Sequence, residues 1–309
     1  MLHLRVIAPS EHTAAVRELL LAEQGATHVT VLAGVAVEPV GDVVEADVTR
    51  EAVDGVLTGL TDLGVDHTGG VTLETIETTL SDAADAAEKA VPGDPSDAVI
   101  WEELIARTGE DSRLSFSFQA FLTIACLLAA IGAVTNSPVT VVGAMVLGPE
   151  FGPLAAVAVG IVLRKRDLVR RGMVALAVGF PLGMVVTAAA AVLFSAVGLL
   201  TTGDLGDQVD FIYSVGWFSL IVALLAGAAG MLALTSTKSA SLVGVFISVT
   251  TVPAAGYAAV AAVEGRWGQA GSSIGQLAVN LVGIVAAVLV LLIARRSGER
   301  TRLRGAQAG

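Results

Sequence analysis

Cysteine is almost missing from this chain: Cys126 is the single one in 309 residues. It lies in an apolar run, so no disulfide framework and no multi-cysteine metal site can be built from it. The four histidines, His3, His12, His28 and His67, share no ligand-like spacing and read as scattered surface residues. Lysine occurs only at Lys89, Lys165 and Lys238. An acidic, lysine-poor soluble face suits a high-salt cytoplasm, and high genomic GC content would give the same bias. There is no Ser/His/Asp set, no P-loop and no dinucleotide fingerprint, and paired carboxylates are lacking in the apolar half. These gaps argue against an enzyme, against ATP-driven transport by this chain alone, and for no cofactor. Met1–Ala8 is short, alternating and followed by charge, which is not a signal-peptide pattern.

Hydrophobic residues make up 54% of the chain and its mean hydropathy is +0.77, too apolar for a soluble protein of this length. Aromatics supply only 5%, so the apolar content is mainly Ala, Val, Leu and Gly. Small residues let helices approach closely in lipid. Charge divides the chain sharply. Residues 1–113 hold 22 acidic and 6 basic side chains, whereas the remainder holds 7 and 12. Two physical environments follow, and the acidic half excludes a nucleic-acid partner.

Within 1–81, Leu2, Leu4 and Val6 alternate as a strand, and Ser10 offers an N-cap to a helix carrying Val16, Leu19 and Leu20. Gly25 ends that helix. Thr27–Val37 and Val43–Thr49 read as strands joined through Pro39 and Gly41. Val53, Val56, Leu57, Leu60 and Leu63 follow at helical spacing, and Val71–Leu80 is the last strand. The order β-α-β-β-α-β predicts a cytoplasmic α+β, ferredoxin-like domain, a fold that serves ligand regulation and assembly alike. Asp82–Ser96 reads as a linker. Asp97–Arg113 reads as an amphipathic helix anchored by Trp101 at a bilayer surface or packed on the soluble domain. Together they make residues 82–113 a linker and amphipathic helix.

Residues 114–296 predict a polytopic α-helical membrane domain of about six helices, near 116–135, 140–163, 172–200, 214–235, 241–263 and 271–294. The second, interrupted by Gly143, Gly148, Pro149, Gly152 and Pro153, is broken or re-entrant. Loop 164–171 carries Arg164, Lys165, Arg166, Arg170 and Arg171, and the tail 297–309 is basic. Lys238 joins helices four and five, while Asp204, Asp207 and Asp210 or Glu264 and Arg266 mark the opposite loops. The positive-inside rule then places both termini in the cytoplasm of a multi-pass cell-membrane protein.

Thr135–Ala156 resembles Ser236–Tyr257. At an offset of 101, Val142-Gly143 falls on Val243-Gly244, and with a one-residue gap Pro153 meets Pro253. Repeat one (116–200) and repeat two (214–294) each hold a helix, a polar break, an interrupted helix and a long helix. An odd number of spans per unit makes the 3+3 repeat inverted, as in secondary transporters. The run Gly143-Ala144-Met145-Val146-Leu147-Gly148-Pro149-Glu150-Phe151-Gly152-Pro153 resembles the signature of a prokaryotic membrane family, domain of unknown function 389. The N-terminal domain and the Asn136-Ser137-Pro138 break also fit that family. Its members usually carry Ser-Pro before the central hydrophobic pair. Glu150 after Gly148-Pro149 departs from that pattern, so a role for it is specific to a subgroup. The resemblance implies a membrane protein and no activity.

Glu150 is the one ionisable residue deep within a hydrophobic segment, which marks it for function unless cytoplasmic water reaches it. Gly148, Pro149, Gly152 and Pro153 free backbone groups that a cavity or a packing kink must satisfy. Ser248, Thr250, Thr251 and Pro253 form the equivalent break. Asn136 and Ser137 suit gating or ordinary helix ends, and Asn280 suits interhelical bonding or a ligand. The expected function is a secondary transporter or channel for a small solute or ion, surrounded by membrane lipid and assembled as a homo-oligomer. The rival is a non-transporting scaffold or a lipid or ligand sensor.

Overall fold

The computed structural model describes residues 1–94, 98–198, 212, 216–235 and 251–306, with side chains of the last helix described as far as Ser297. Asp204, Asp207, Asp210, Lys238, Ser248 and Thr250 lie outside the described residues. The chain divides into two compact units, 1–103 and 104–309.

In the first unit, β1 (Leu2–Ala8), α1 (Thr13–Ala22), β2 (Ala26–Val37), β3 (Val40–Val48), α2 (Arg50–Asp62), the short α3 (Val65–Thr68) and β4 (Gly70–Thr75) succeed one another. The four strands form an antiparallel sheet in the order β2-β3-β1-β4. Period-two alternation buries Leu2, Leu4, Val6 and Ala8 against Val16 and Leu20 of α1 and Val53, Val56 and Leu60 of α2. Helices therefore cover one face of the sheet, as that element order expects.

Three local expectations change. Ser10 does not cap α1: its hydroxyl donates to Asp42 at 3.3 Å, Thr13 donates to the same carboxylate at 2.6 Å, and the helix starts at Thr13. The last strand stops at Thr75 rather than Leu80, because its partner β1 begins at Leu2, which pairs with Thr75. Asp82–Ala90 of the expected linker is a helix, α4, whose Ser81 cap accepts from the Ala84 N–H. Its alanines favour that state.

His28, with φ of 52° at a bulge in β2, places Nδ1 2.7 Å from Asp47 Oδ2 and Nε2 2.8 Å from Ser81 Oγ. His3 Nδ1 lies 2.8 Å from the other Asp47 oxygen. Burial pushes the Asp47 carboxyl up, but the two histidine contacts outweigh it and hold the group below its ordinary 3.8.

α5 (Trp101–Asp111) begins on the N-terminal domain: Ile100 joins its core, and the Trp101 N–H donates to Asp54 Oδ1 at 3.2 Å. The second unit then holds α6 (Phe116–Val134), α7 (Pro138–Leu147), α8 (Phe151–Val162), α9 (Arg166–Ala196), α10 (Trp217–Thr235), α11 (Thr251–Val263) and α12 (Trp267–Ala306). α6, α9, α10 and α12 are long and apolar enough to cross a membrane, and α7 with α8, bent by 49°, would make a fifth. α11 is a shorter apolar helix. α9 starts at Arg166, so the expected basic loop is a tight turn at Arg164 and Lys165. Arg166, Arg170 and Arg171 occupy the first turns of the helix. Likewise α12 runs through the basic segment to Ala306 rather than ending at 294.

α8 is buried from Pro153 to Gly160 and α11 from Thr251 to Ala261, all round rather than on one stripe, so these two are the centre of the bundle. The longer helices surround them, with apolar faces outward at Val178, Val185, Leu225 and Val290. Glycine sets the spacing. A Cβ on Gly256 of α11 would lie 2.5 Å from Cys126 O and 2.8 Å from Ala129 Cβ of α6. A Cβ on Gly227 would lie 2.6 Å from Ile284 O, where α10 meets α12. Backbone packed on backbone is how helices associate in lipid.

Two outcomes follow. Gly256→Leu should destabilise the membrane unit by about 1–3 kcal/mol or abolish folding, whereas Gly268→Leu, with nothing within 4 Å of its added Cβ, should be neutral in detergent melting curves. Because the Asp47 carboxyl is lowered in the folded state, its contribution is full above the ordinary carboxylate range and vanishes as pH falls through the lowered value. Asp47→Asn should therefore lower the melting temperature of the N-terminal domain at pH 6, and this difference should shrink below pH 4.

Candidate functional site

Gly148 precedes proline and takes extended backbone (φ −66°, ψ 121°), which ends α7. Pro149 cannot donate to the next turn. Glu150 returns to helical angles (φ −72°, ψ −17°) as the first flanking residue of α8, and its carbonyl accepts the Leu154 N–H at 3.2 Å. Gly152 and Pro153 do not break the helix as expected. They lie in the first turn of α8, where a missing N–H costs nothing. Gly152 serves instead for contact, since an added Cβ would lie 2.5 Å from that of Asp111, and the Pro153 carbonyl is packed against Gly172.

The Glu150 side chain is fully buried. Its carboxylate accepts the hydroxyl of Thr251, the first described residue of α11, in a very short contact. The hydroxyl donor stabilises its charged form, as does its position at the N-terminal end of α8, where the helix dipole favours an anion by about 0.3–2 kcal/mol. Water does not reach it in this conformation, so the reading of Glu150 as a water-facing surface group is not what the structure has.

Two end contacts fix the direction of the two central helices. At the far end of α8, Arg296 Nη1 of α12 donates to the Val162 carbonyl at 2.7 Å. At the far end of α11, a turn of three residues leads into the start of α12 at Trp267. Residues 267 and 296 are separated by roughly 44 Å along a helix, and α8 and α11 are roughly 18 and 20 Å long. Both pack on α12. The two short helices therefore lie end to end along α12, pointing their starts at each other, and Glu150–Thr251 is the junction. That junction falls roughly 20 Å from either end of the pair.

Thirteen residues into α12, Asn280 lies at the same level. It is fully buried and accepts from Gln276 Nε2 at 3.4 Å. Pro253 is buried in the first described turn of α11, so Glu150, Thr251, Pro253 and Asn280 share one layer, with Gly148 and Pro149 beside it in the chain. Ser137 and Asn136 do not belong to it. Ser137 caps α7 by accepting from the Thr140 N–H at 3.3 Å, and Asn136 holds a turn conformation with φ of 51°. The length of α7, roughly 15 Å, separates them from Glu150. Gln276, which sequence reasoning passed over, stands four residues before Asn280 on the same helical face, and that spacing in an otherwise apolar helix was the signal.

A second arrangement links the halves. Three turns share one hydrogen bond: Ser137 N–H to Gly132 O, Lys165 N–H to Gly160 O, and Arg266 N–H to Ala261 O, each 2.8 Å. The preceding residue has positive φ each time, 51° at Asn136, 57° at Arg164 and 76° at Gly265, the Schellman geometry. The last two turns correspond atom for atom at an offset of 101, the separation of Glu150 and Thr251.

A cavity of about 200 Å³ lies elsewhere, between α6, α9 and α11. It is apolar, and its hydroxyls on Thr135 and Thr187 both donate to their own helices, at 2.8 Å to Ile131 O and Gly183 O. It offers no chemistry comparable to the Glu150 layer.

Residues 145–286 match the family described as Domain of unknown function (DUF389), and the N-terminal domain lies outside the match. No curated protein and no solved structure matches the chain.

The contact between Glu150 and Thr251 is testable by itself. Thr251→Val removes the donor and should lower stability in detergent by about 1–3 kcal/mol. In a Glu150→Leu background the same substitution should cost little, which a double-mutant cycle of melting or denaturant curves measures.

Proposed function

We propose that this DUF389 protein is a secondary transporter or channel for a small solute or ion, built from two inverted three-helix repeats. The observation that carries the reading is the Glu150–Thr251 junction: a charge at mid-depth, held where two oppositely directed short helices meet. Irregular backbone at membrane depth occurs where it lines a path or a site, and an intramembrane carboxylate is functional by default. Paired sites between inverted repeats follow the same plan. The matched turns at Arg164 and Gly265 support the repeat, because their offset also relates Glu150 to Thr251.

Orientation follows from charge. Arg164, Lys165, Arg166, Arg170 and Arg171 sit at the end of α8 that Arg296 also reaches, beside Arg295. The opposite end of α11 has the Glu264–Arg266 pair at 3.1 Å. The basic end is cytoplasmic in this reading, as are both termini. The acidic domain would then regulate or assemble the protein from the cytoplasm. β2 is an edge strand with Val31, Leu32, Val35 and Val37 exposed, which suits pairing between copies in a homo-oligomer. The chain acts by passing its solute rather than by catalysis.

Purified protein in liposomes should move an ion or small solute across the bilayer, and Glu150→Gln, equal in size and neutral, should change that flux about tenfold or more, as expected for loss of a buried charge worth a kcal/mol or two. Absence of flux across a broad panel of ions and solutes, with Glu150→Gln indistinguishable from the parent, would falsify the transport reading and favour a membrane scaffold or sensor.

A further inference from the structure

Gln269, Ser273, Gln276 and Asn280 recur along α12 at i, i+4, i+7 and i+11, which places all four on one helical face. The file spans roughly 16 Å, from near the α11–α12 turn to the level of Glu150. At its outer end Tyr257 of α11 donates its hydroxyl to Gln269 Oε1 at 3.2 Å. The next three side chains are fully buried. Gln276 Nε2 donates to Asn280, but Ser273 Oγ, Gln276 Oε1 and Asn280 Nδ2 find no hydrogen-bond partner among the described residues. Burying such groups unmet is unfavourable, and in hydrocarbon there is no water to relieve it. Three in a row on one face are hard to explain as packing.

The other half of the bundle has nothing of the kind. At the repeat offset the four positions become Leu168, Gly172, Ala175 and Gly179 on α9. Those are closely packed: a Cβ on Gly172 would lie 2.5 Å from Pro153 O, and one on Gly179 would lie 2.9 Å from Phe118. From the basic end, then, the approach to Glu150 is closed by backbone and rings. From the α11–α12 end it is lined by hydroxyl and amide groups.

We infer that the α12 file is a one-sided lane through which a monovalent cation, as Na⁺ or as a proton, reaches Glu150 from the end bearing the α11–α12 turn. Neutral groups that both donate and accept suit water and a cation in transit. Glu150 supplies one negative charge at the inner terminus, and Thr251 and the Asn280 amide add neutral oxygens. One carboxylate among neutral oxygens matches a single positive charge, since divalent ions draw on several acidic ligands. The inference rests on the transport reading for its purpose, but its geometry is tested without any transport.

In a Cys126→Ala background, Ser273→Cys should react with a small cationic thiol reagent. In vesicles of known orientation, reaction from the α11–α12 side should be about tenfold faster or more than from the basic side, a ratio equivalent to a barrier difference of about 1.4 kcal/mol. Ala175→Cys, at the position on α9 that the offset relates to Gln276, should stay unreactive from both sides. Asn280→Cys provides the same readout should Ser273→Cys fail to fold. Slowing by Na⁺ at constant pH identifies sodium as the occupant, and slowing on acidification that exceeds the loss of thiolate at a solvent-exposed reference cysteine, and that Glu150→Gln removes, identifies the proton. Equal reaction from both sides, faster reaction from the basic side, no reaction at either lane position, or labelling that neither cation slows would overturn the lane. Labelling as expected without flux in liposomes would leave the lane standing and remove the transporter.

Discussion

A carboxylate carried into the apolar middle of a helix bundle must be solvated by the protein itself, and the arrangement of the membrane half follows from that requirement. Glu150 draws stabilisation from the N-terminal end of its own helix and from the hydroxyl of Thr251. The first demands that α7 stop and α8 start at the residue beside it, which Gly148 and Pro149 enforce. The second demands that α11 come to the same depth from the other direction. Two short helices on one line leave room for long neighbours on every side. Such neighbours can approach only where glycine removes the side chain, as Gly172, Gly227 and Gly256 do.

The gross division of the chain was legible because it rests on composition, which is insensitive to packing. Acidic residues collect before 113 and charge-free runs follow, and the helices lie close to where those runs fall. Element order in the N-terminal domain was legible because strand and helix periods differ. Its ends were not. Ser10 looked like a cap, but Asp42 on β3, distant in sequence, accepts its hydroxyl hydrogen. The final strand ended early because its partner did. Local chemistry proposes such boundaries and tertiary partners decide them.

The candidate site was legible in half. Glu150 stood out because an acid in an apolar run has few innocent readings. Its partnership with Thr251 was only implicit in the repeat alignment, which set the two positions opposite each other without saying that they touch. Gly152 and Pro153 were misread because proline breaks a helix in its interior yet suits its first turn, and only the position of the break at 148–150 distinguishes the cases. Ser273 and Gln276 were overlooked singly. Each is an ordinary polar residue in an apolar helix, and their meaning comes from a shared face and from what they lack as partners.

The repeat explains more through its failures than through its matches. A symmetric pair of halves would present the same surface to both sides of a membrane and would give Glu150 equal approach from each. Here one pair of turns agrees atom for atom, as the proposed repeat requires. The side chains do not agree. Glu150 is answered by Thr251, and Gly172, Ala175 and Gly179 are answered by Ser273, Gln276 and Asn280. Duplicated backbone can supply two related conformations, because each half can take up the packing of the other. Unequal side chains make those two conformations differ in free energy and in the solute each admits. A scaffold gains nothing from burying unmet amides on one side of a carboxylate. A path that must admit a charge from one side has a use for them.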